Sequence, residues 1–248
     1  MSRFEGKQVL VSGGSRGVGR ALVEAFAREG ATVSFTFLER ETKAREVEEA
    51  VAANGGRAIG RRLDVRDADA TRALVDQVAS DGGLDVVVAN AAITRDAFAV
   101  MLDPADFAEV IDVNLRGAFH LVRSAARTMM AGDREGAIVT VGSIASLRAH
   151  PGQVAYASAK AGLVAMTRTM ARELAPRGVR LNTVIGGLLD TGMASRMNHR
   201  ARAALLEHIP LGRAGQAEEL ASAVLYLASS DSSYVVGHSL VVDGGASL

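Results

Sequence analysis

Three polar side chains, Ser143, Tyr156 and Lys160, have types and a spacing that suit proton transfer to a carbonyl oxygen. Tyr156 and Lys160 are four residues apart in a predicted helix, which places them on one face of it. Ser143 follows an apolar, β-branched run at residues 137–141 that predicts a buried strand. Open α/β sheets bind their ligands beyond the carboxyl ends of their strands. A Tyr and a Lys at this spacing also occur by chance, so the rest of the chain must support the interpretation.

The elements that would position these side chains alternate along the chain between short β-branched runs and helical patterns. This alternation predicts one doubly wound α/β domain, in which a seven-stranded parallel sheet carries helices on both faces. The predicted strands are residues 8–12, 32–37, 58–63, 86–89, 137–141, 180–184 and 239–242, and the predicted helices are residues 17–29, 42–54, 68–81, 104–131, 154–175 and 217–229.

The composition argues against several classes of protein. The 28 Lys and Arg residues balance the 28 Asp and Glu residues, so nothing favours nucleic acid or an acidic membrane surface as a partner. There is no Cys, which excludes disulfides and thiolate metal sites, and we expect no metal. No apolar stretch reaches transmembrane length and the first residues form no signal region, so we expect a cytoplasmic protein.

A glycine-rich segment follows the first predicted strand and opens directly into a helix. Gly13 permits a tight turn, while Gly17 and Gly19 permit a pyrophosphate and the helix to approach the backbone closely. The free N–H groups at the start of the helix favour the anion. The sequence therefore predicts dinucleotide binding, although an ordinary glycine-rich turn is the alternative.

The end of the second predicted strand favours NADP(H) over NAD(H). An acidic residue would bind the ribose 2′-hydroxyl of NAD, but Phe37 stands at the expected place and Glu39 comes two residues later. Arg16, in the glycine loop, could pair with a 2′-phosphate, and Arg40 could assist it. The alternative for Arg40 is a solvated surface charge.

Four further polar residues follow predicted strands or interrupt a helix. Asp64 could accept a hydrogen bond from the adenine amino group, or cap the next helix, a role for which Asp67 is better placed. Asn90 could fix backbone geometry, or be a simple turn residue. Asn114 is a poor residue for a helix interior and predicts a local kink or a bound water, unless it is simply exposed.

Together these motifs resemble the short-chain dehydrogenase/reductase family over the whole chain, and hence a Rossmann-like fold. The resemblance implies that Tyr156 is the general acid/base, that Lys160 holds the nicotinamide ribose and lowers the pKa of Tyr156, that Ser143 polarises the carbonyl, and that Asn114 supports a water. It also implies a cofactor site made of Gly13, Ser15, Arg16, Gly17, Val18, Gly19, Leu38, Asp64, Val65, Asn90, Ala91, Tyr156, Lys160, Leu189 and Thr191.

Within that family the sequence is most similar to the 3-oxoacyl-acyl-carrier-protein reductases, through residues 92–96, 161–163, 171–173 and 241–245. The resemblance implies an NADPH-dependent reduction of a carrier-bound 3-oxoacyl thioester by a homotetramer. Arg134 and Arg177 would meet the acidic carrier protein at the mouth of the site, or be solvated charges. Two stripes of small residues would join the subunits or pack the domain's own core. The first is Ala118, Leu121, Val122, Ala125 and Ala126, and the second is Val154, Ala157, Ala161 and Val164.

Two departures from the family pattern leave other functions open. Ala92 replaces a usual glycine, and Gly186 replaces a usual proline before the predicted substrate lid at residues 187–213. The alternatives are a family member acting on a free alcohol, ketone, sugar or steroid, and a cofactor-binding subunit without turnover. An enoyl reductase fits less well, because in that branch the Tyr and Lys are seven residues apart rather than four.

Overall fold

The computed structural model describes residues 2–132, 135–191 and 205–248. Its centre is a seven-stranded sheet in which every strand pairs in parallel with its neighbours, in the order β3-β2-β1-β4-β5-β6-β7. The predicted fold class is therefore confirmed. The strands are β1 (Gln8–Val11), β2 (Thr32–Phe37), β3 (Arg57–Arg62), β4 (Val86–Ala89), β5 (Gly136–Ser143), β6 (Val179–Gly186) and β7 (Ser239–Val242).

Helices cover both faces of the sheet and bury its apolar side chains. On one face Phe26, Val47 and Val224, from the first, second and last of these helices, pack into one core. On the other face Leu74, Leu121 and Leu163 pack into a second core. The helices are α1 (Gly17–Arg28), α2 (Glu41–Ala53), α3 (Ala68–Ser80), α4 (Pro104–Ile111), α5 (Ala118–Ala131), α6 (Val154–Leu174) and α7 (Ala217–Ala228).

The predicted helix at residues 104–131 is interrupted. A π-helical turn, Asp112–Gly117, separates α4 from α5. It contains Asn114, for which the sequence predicted a local kink or a bound water, and the residue is buried rather than exposed. The fifth strand is also longer than predicted, because it pairs with β6 as far as Ser143 opposite Gly186. Serine and glycine have little intrinsic strand preference, and here the pairing with a neighbouring strand extends the element.

The small-residue stripe predicted on α5 lies inside the domain rather than on its surface. Ala118, Leu121, Val122, Ala125 and Ala126 are all buried against the sheet. They face inward because the periodicity that marks an amphipathic helix points its apolar face to the nearest core.

The stripe on α6 divides between the core and the surface. Val164 is buried, whereas Val154 and Ala161 are exposed, next to exposed Ser158 and Ala165. Of the two stripes, that on α6 is the one with residues at the surface. The homotetramer stays a prediction.

Membrane-spanning helices are not found in the part of the chain that the structure describes, where no helix combines sufficient length with sufficient hydropathy.

The end of α7 is held by a single half-buried arginine from the start of β6. The Nη1 group of Arg180 donates to the carbonyl of Leu227 at 2.9 Å and to the carbonyl and hydroxyl of Ser232 at 3.1 and 3.0 Å. Its Nη2 group donates to the carbonyl of Ser229 at 2.9 Å. The last carbonyls of a helix have no partner within the helix, so Arg180 supplies a donor to the carbonyl of Leu227. It also bonds the turn that follows, where the Ser229 carbonyl accepts from Ser232 as well.

Replacing Arg180 with Met should lower the free energy of unfolding by about 2 kcal/mol or more, because hydrogen bonds to a charged group contribute about 1.5–3 kcal/mol and the Leu227 carbonyl would lose its side-chain donor. Urea denaturation followed by circular dichroism measures the change. Arg168→Met is the matched control, since Arg168 is exposed on α6. A loss no greater than that of the control would contradict the role assigned to Arg180.

Candidate active site

Ser143, Tyr156 and Lys160 come together at the carboxyl end of β5. Ser143 is the last residue of that strand, and Tyr156 and Lys160 lie on the first two turns of α6. Tyr156 is 7% exposed and packs against Val110, Ala145 and neighbouring alanines. Lys160 is 3% exposed, and its Nζ donates to the carbonyl of Val141 at 2.7 Å, two residues before Ser143. The predicted convergence of a hydroxyl, a phenol and an ammonium is therefore present in the structure.

Burial sets the charge states of this cluster. It raises the pKa of Tyr156, an effect that the Ser143 hydroxyl opposes and the Asp96 carboxylate reinforces. Burial also lowers the pKa of Lys160 to about 8. The expectation that Lys160 lowers the pKa of Tyr156 is not met in this arrangement, because the Lys160 ammonium is directed at the Val141 carbonyl and stands 5.6 Å from the centre of the phenol ring. At neutral pH the phenol is protonated.

Asn114 holds the segment after β4 against the helix pair. Its side-chain oxygen accepts from the backbone N–H of Ile93 at 2.8 Å, and its Nδ2 donates to the carbonyl of Ile93 at 2.9 Å. The residue is buried and lies in the π-helical turn, a feature found frequently at functional sites. Its predicted support of a water stays a prediction.

The glycine loop is folded tightly enough to require its glycines. Gly13 and Gly17 have φ of 69° and 53°, and a Cβ on Gly19 would lie 2.0 Å from the carbonyl oxygen of Gly13. The Nδ2 of Asn90 donates to the carbonyls of Ser12 and Gly13 at 3.0 and 3.2 Å. Asn90 therefore fixes the backbone of this loop, which was one of the two roles predicted for it.

The start of α1 is suited to an anion. Its N-cap residue is Arg16, which makes no side-chain capping bond, and its first turn contains no acidic residue. A helix that begins this way leaves backbone N–H groups and the positive end of its dipole for a ligand. Ser15 is buried in the loop, and Val18 lies on the first turn of α1.

The adenine side of the predicted cofactor site contains a charge pair that sequence reasoning missed. The Nε of Arg66 donates to both carboxylate oxygens of Asp64 at 2.9 and 3.0 Å, and its Nη2 donates at 2.6 Å. This side-chain hydrogen bond lowers the pKa of Asp64. Asp67 caps α3 by accepting from the N–H groups of Asp69 and Ala70, so the better capping candidate is the one observed. The sequence signal for this pair is that two opposite charges, Asp64 and Arg66, stand two residues apart.

Five further predicted residues occupy the same edge of the sheet or its surroundings. Leu38 is exposed after β2, Val65 is buried after β3 and Ala91 is half-buried after β4. Leu189 forms a bridge with Gly215, and Thr191 is half-buried. The substrate lid at residues 187–213 stays a prediction, and residues 192–204 of it lie outside the described residues.

Arg177, one residue of the predicted carrier-docking pair, does not lie at the mouth of this site. Arg177 is exposed just before β6, at the end where Gly136 pairs with Val179, whereas Ser143 pairs with Gly186 at the other end. A strand rises about 3.3 Å per residue, so roughly 23 Å of sheet separates Arg177 from the active-site edge. The expectation that Arg177 flanks the mouth within one chain is wrong. Tyr156 lies near the start of α6, whereas Arg177 follows the end of that helix, at the opposite edge of the sheet. Arg134 lies outside the described residues.

Comparisons with known proteins identify the family of this chain. A family model described as Enoyl-(Acyl carrier protein) reductase matches residues 13–247. The chain is also 41% identical over 244 residues to 3-oxoacyl-(acyl-carrier-protein) reductase FabG of Thermotoga maritima, with 98% of each chain covered. The chain belongs to the short-chain dehydrogenase/reductase family. As a member of it, the protein is an NAD(P)-dependent oxidoreductase.

Further relatives support the assignment at full length. The FabG enzyme of Escherichia coli is 38% identical over 243 residues, 98% of each chain. A solved short-chain dehydrogenase/reductase from Serratia marcescens is 36% identical with a TM-score of 0.93, covering 99% of this chain and 100% of its own. The residues present fit the nicotinamide dinucleotide that the family uses, because the glycine loop is narrow and the N-terminus of α1 carries no carboxylate.

The buried ammonium of Lys160 predicts a pH dependence of stability. Its pKa is about 8 in the folded protein, against an ordinary value of 10.5. Between these values the unfolded chain binds more protons than the folded one, so stability rises with pH in this window. Relative to Lys160→Met, the wild-type free energy of unfolding should increase by on the order of 2 kcal/mol from pH 8 to pH 10. Denaturant unfolding of both proteins across the window measures it, and a constant difference would contradict the prediction.

Proposed function

We propose that this enzyme reduces a 3-oxoacyl thioester carried on acyl carrier protein to the 3-hydroxyacyl form, with NADPH, in fatty-acid or polyketide-type synthesis. The observation that carries the proposal is the buried phenol of Tyr156, beside the Ser143 hydroxyl at the carboxyl end of β5. The curated relatives support the substrate, since those named FabG are 36–41% identical to this chain over nearly its whole length.

The residues of the cluster divide the work of a carbonyl reduction. When bound, the nicotinamide cofactor supplies the hydride. Ser143 donates a hydrogen bond to the carbonyl oxygen, and Tyr156 transfers its proton to that oxygen as negative charge develops there. Lys160 is mostly charged at pH 7, since its pKa is about 8, and its ammonium would hold the nicotinamide ribose when the cofactor is bound. The hydroxyl of Tyr156 supplies the proton that a carbonyl reduction consumes.

The spacing of Tyr156 and Lys160 supports a 3-oxoacyl rather than an enoyl substrate. The two residues are four apart and share the buried face of α6. In the enoyl reductases of this family the Tyr and Lys are seven apart, so the matching model's description is taken here as a mark of family and not of substrate.

The second strand supports NADPH as the reductant. β2 ends at half-buried Phe37, which has no carboxylate to accept the ribose 2′-hydroxyl of NADH. Arg16 and Arg40 are both exposed on the side of the sheet where α1 and α2 begin. Cations at this place suit a 2′-phosphate.

Steady-state kinetics on a substrate panel test the proposal. With acetoacetyl-acyl carrier protein, NADPH should give a higher kcat/KM than NADH, and the carrier-bound substrate should exceed a free acetoacetyl ester with NADPH. The reason for the second difference is that contacts remote from the ketone contribute binding energy to the reaction. A higher kcat/KM with NADH, or with a free alcohol, sugar or steroid, would favour the alternative of a small-molecule dehydrogenase.

Replacing Tyr156 with Phe should reduce kcat about 100- to 10,000-fold, which is the usual contribution of a positioned general acid. Cofactor binding, measured by quenching of NADPH fluorescence, should persist because the ring still fills its buried place. Tyr226→Phe is the control, since Tyr226 is partly exposed on α7. Near-normal turnover in the Tyr156 variant would refute the catalytic assignment.

A further inference from the structure

A third arginine, Arg62, lies at the edge of the sheet where the cofactor's adenosine would bind. Arg62 is the last residue of β3 and pairs in register with Phe37, the last residue of β2. The backbone continues this pairing for one more step, because the N–H of Leu63 donates to the carbonyl of Phe37 at 2.8 Å. Arg62 is therefore the immediate cross-strand neighbour of the residue that stands in place of an NAD-binding carboxylate.

The side chain of Arg62 is held on the same side of the sheet as the starts of α1 and α2. Alternate residues of a strand share a face, so Arg62 follows Ala58 and Gly60. Ala58 packs into the core beneath α1 and α2, and a Cβ on Gly60 would contact Ala44 of α2. Leu63, one residue later, packs into the core on the opposite face. Arg16 and Arg40, the N-cap residues of α1 and α2, belong to the side that Arg62 occupies.

One nitrogen of the guanidinium is engaged and two are available. The Nε of Arg62 donates to the carbonyl of Leu38 at 3.1 Å. Within the described residues Arg62 forms no ion pair, and its Nη1 and Nη2 groups have no hydrogen-bond partner. Glu48 of α2 accepts from the backbone N–H of Gly60 at 2.6 Å. The side chain is exposed.

This combination has a specific chemical use. A bond from Nε to a fixed carbonyl orients the planar guanidinium, and the two remaining amino groups form a fork that matches two oxygens of a phosphate. If the only role of Arg62 were to cap the Leu38 carbonyl, a neutral amide would serve equally well. The positive charge is useful because Arg62 lies beside Phe37, at the edge where the cofactor's adenosine would bind.

We propose that Arg62 is a specificity-determining residue of the cofactor site, which binds the phosphate on the 2′ oxygen of the adenosine ribose through its two Nη groups. The inference rests on the proposed function, because it requires that the enzyme prefers NADPH. It adds a contact from β3 to the contacts from the glycine loop and the β2–α2 connection.

Calorimetric titration with 2′,5′-ADP and with 5′-AMP separates the phosphate contact from the rest of the site. Replacing Arg62 with Met should weaken 2′,5′-ADP binding about tenfold or more, since a hydrogen bond to a charged group is worth that much. Binding of 5′-AMP should stay within about twofold, because it lacks the 2′-phosphate. Equal losses on both ligands would assign Arg62 a structural role only, and no loss on either would remove it from the site.

Two companion variants control for charge and for folding. Arg62→Gln keeps a donor for the Leu38 carbonyl but removes the charge, so it should show the same selective loss; unchanged 2′,5′-ADP binding in it would overturn the proposal. Arg57→Met is the matched control, because Arg57 is exposed at the opposite end of the same strand. It should leave both affinities unchanged, and thermal melts check that each variant is folded.

The dissociation constants of NADP⁺ and NAD⁺ distinguish this inference from the proposed function. If the wild-type enzyme binds NAD⁺ at least as tightly as NADP⁺, the proposed use of NADPH fails, and the inference fails with it. If the wild type prefers NADP⁺ and Arg62→Met keeps the full preference, the inference alone fails.

Discussion

The hydrogen bond from the buried ammonium of Lys160 to the carbonyl of Val141, 2.7 Å long, is the interaction on which the active site depends. A charged group taken out of water must be satisfied by the protein, or its pKa shifts towards the neutral form. Here the carbonyl provides one partner, and burial still lowers the pKa to about 8. The bond joins the second turn of α6 to the last residues of β5, so Tyr156 and Ser143 are held at a common edge.

The cofactor side of the same edge depends on close backbone contact. α1 approaches the glycine loop so closely that no side chain fits at Gly19, and the Asn90 amide bonds the loop's carbonyls from the neighbouring strand. Because β1 lies between β2 and β4 in the sheet, one loop can meet residues from both neighbours. The N–H groups at the start of α1 are consequently presented at a position that the sheet defines.

The two edges of the parallel sheet have different roles. Its carboxyl edge gathers Ser143, Asn90, Asp64 and the end of β2, since every strand runs in the same direction. Its amino edge carries Arg177 and the capping arginine Arg180, whose hydrogen bonds hold the end of α7. Arg177, which follows α6 in the sequence, is therefore remote from Tyr156 near the beginning of that helix.

The sequence by itself determined the fold class, the strands and the three residues of the active-site cluster, because these follow from periodicity and from the order of motifs along a parallel sheet. Only the tertiary structure decided that the small-residue stripe of α5 packs the domain's own core, how far Arg177 lies from Ser143, and that Arg62 stands beside Phe37. Such facts depend on strand register and on which helix face meets the sheet. Similarly, the raised pKa of Tyr156 comes from burial by residues distant in sequence, which no local pattern records.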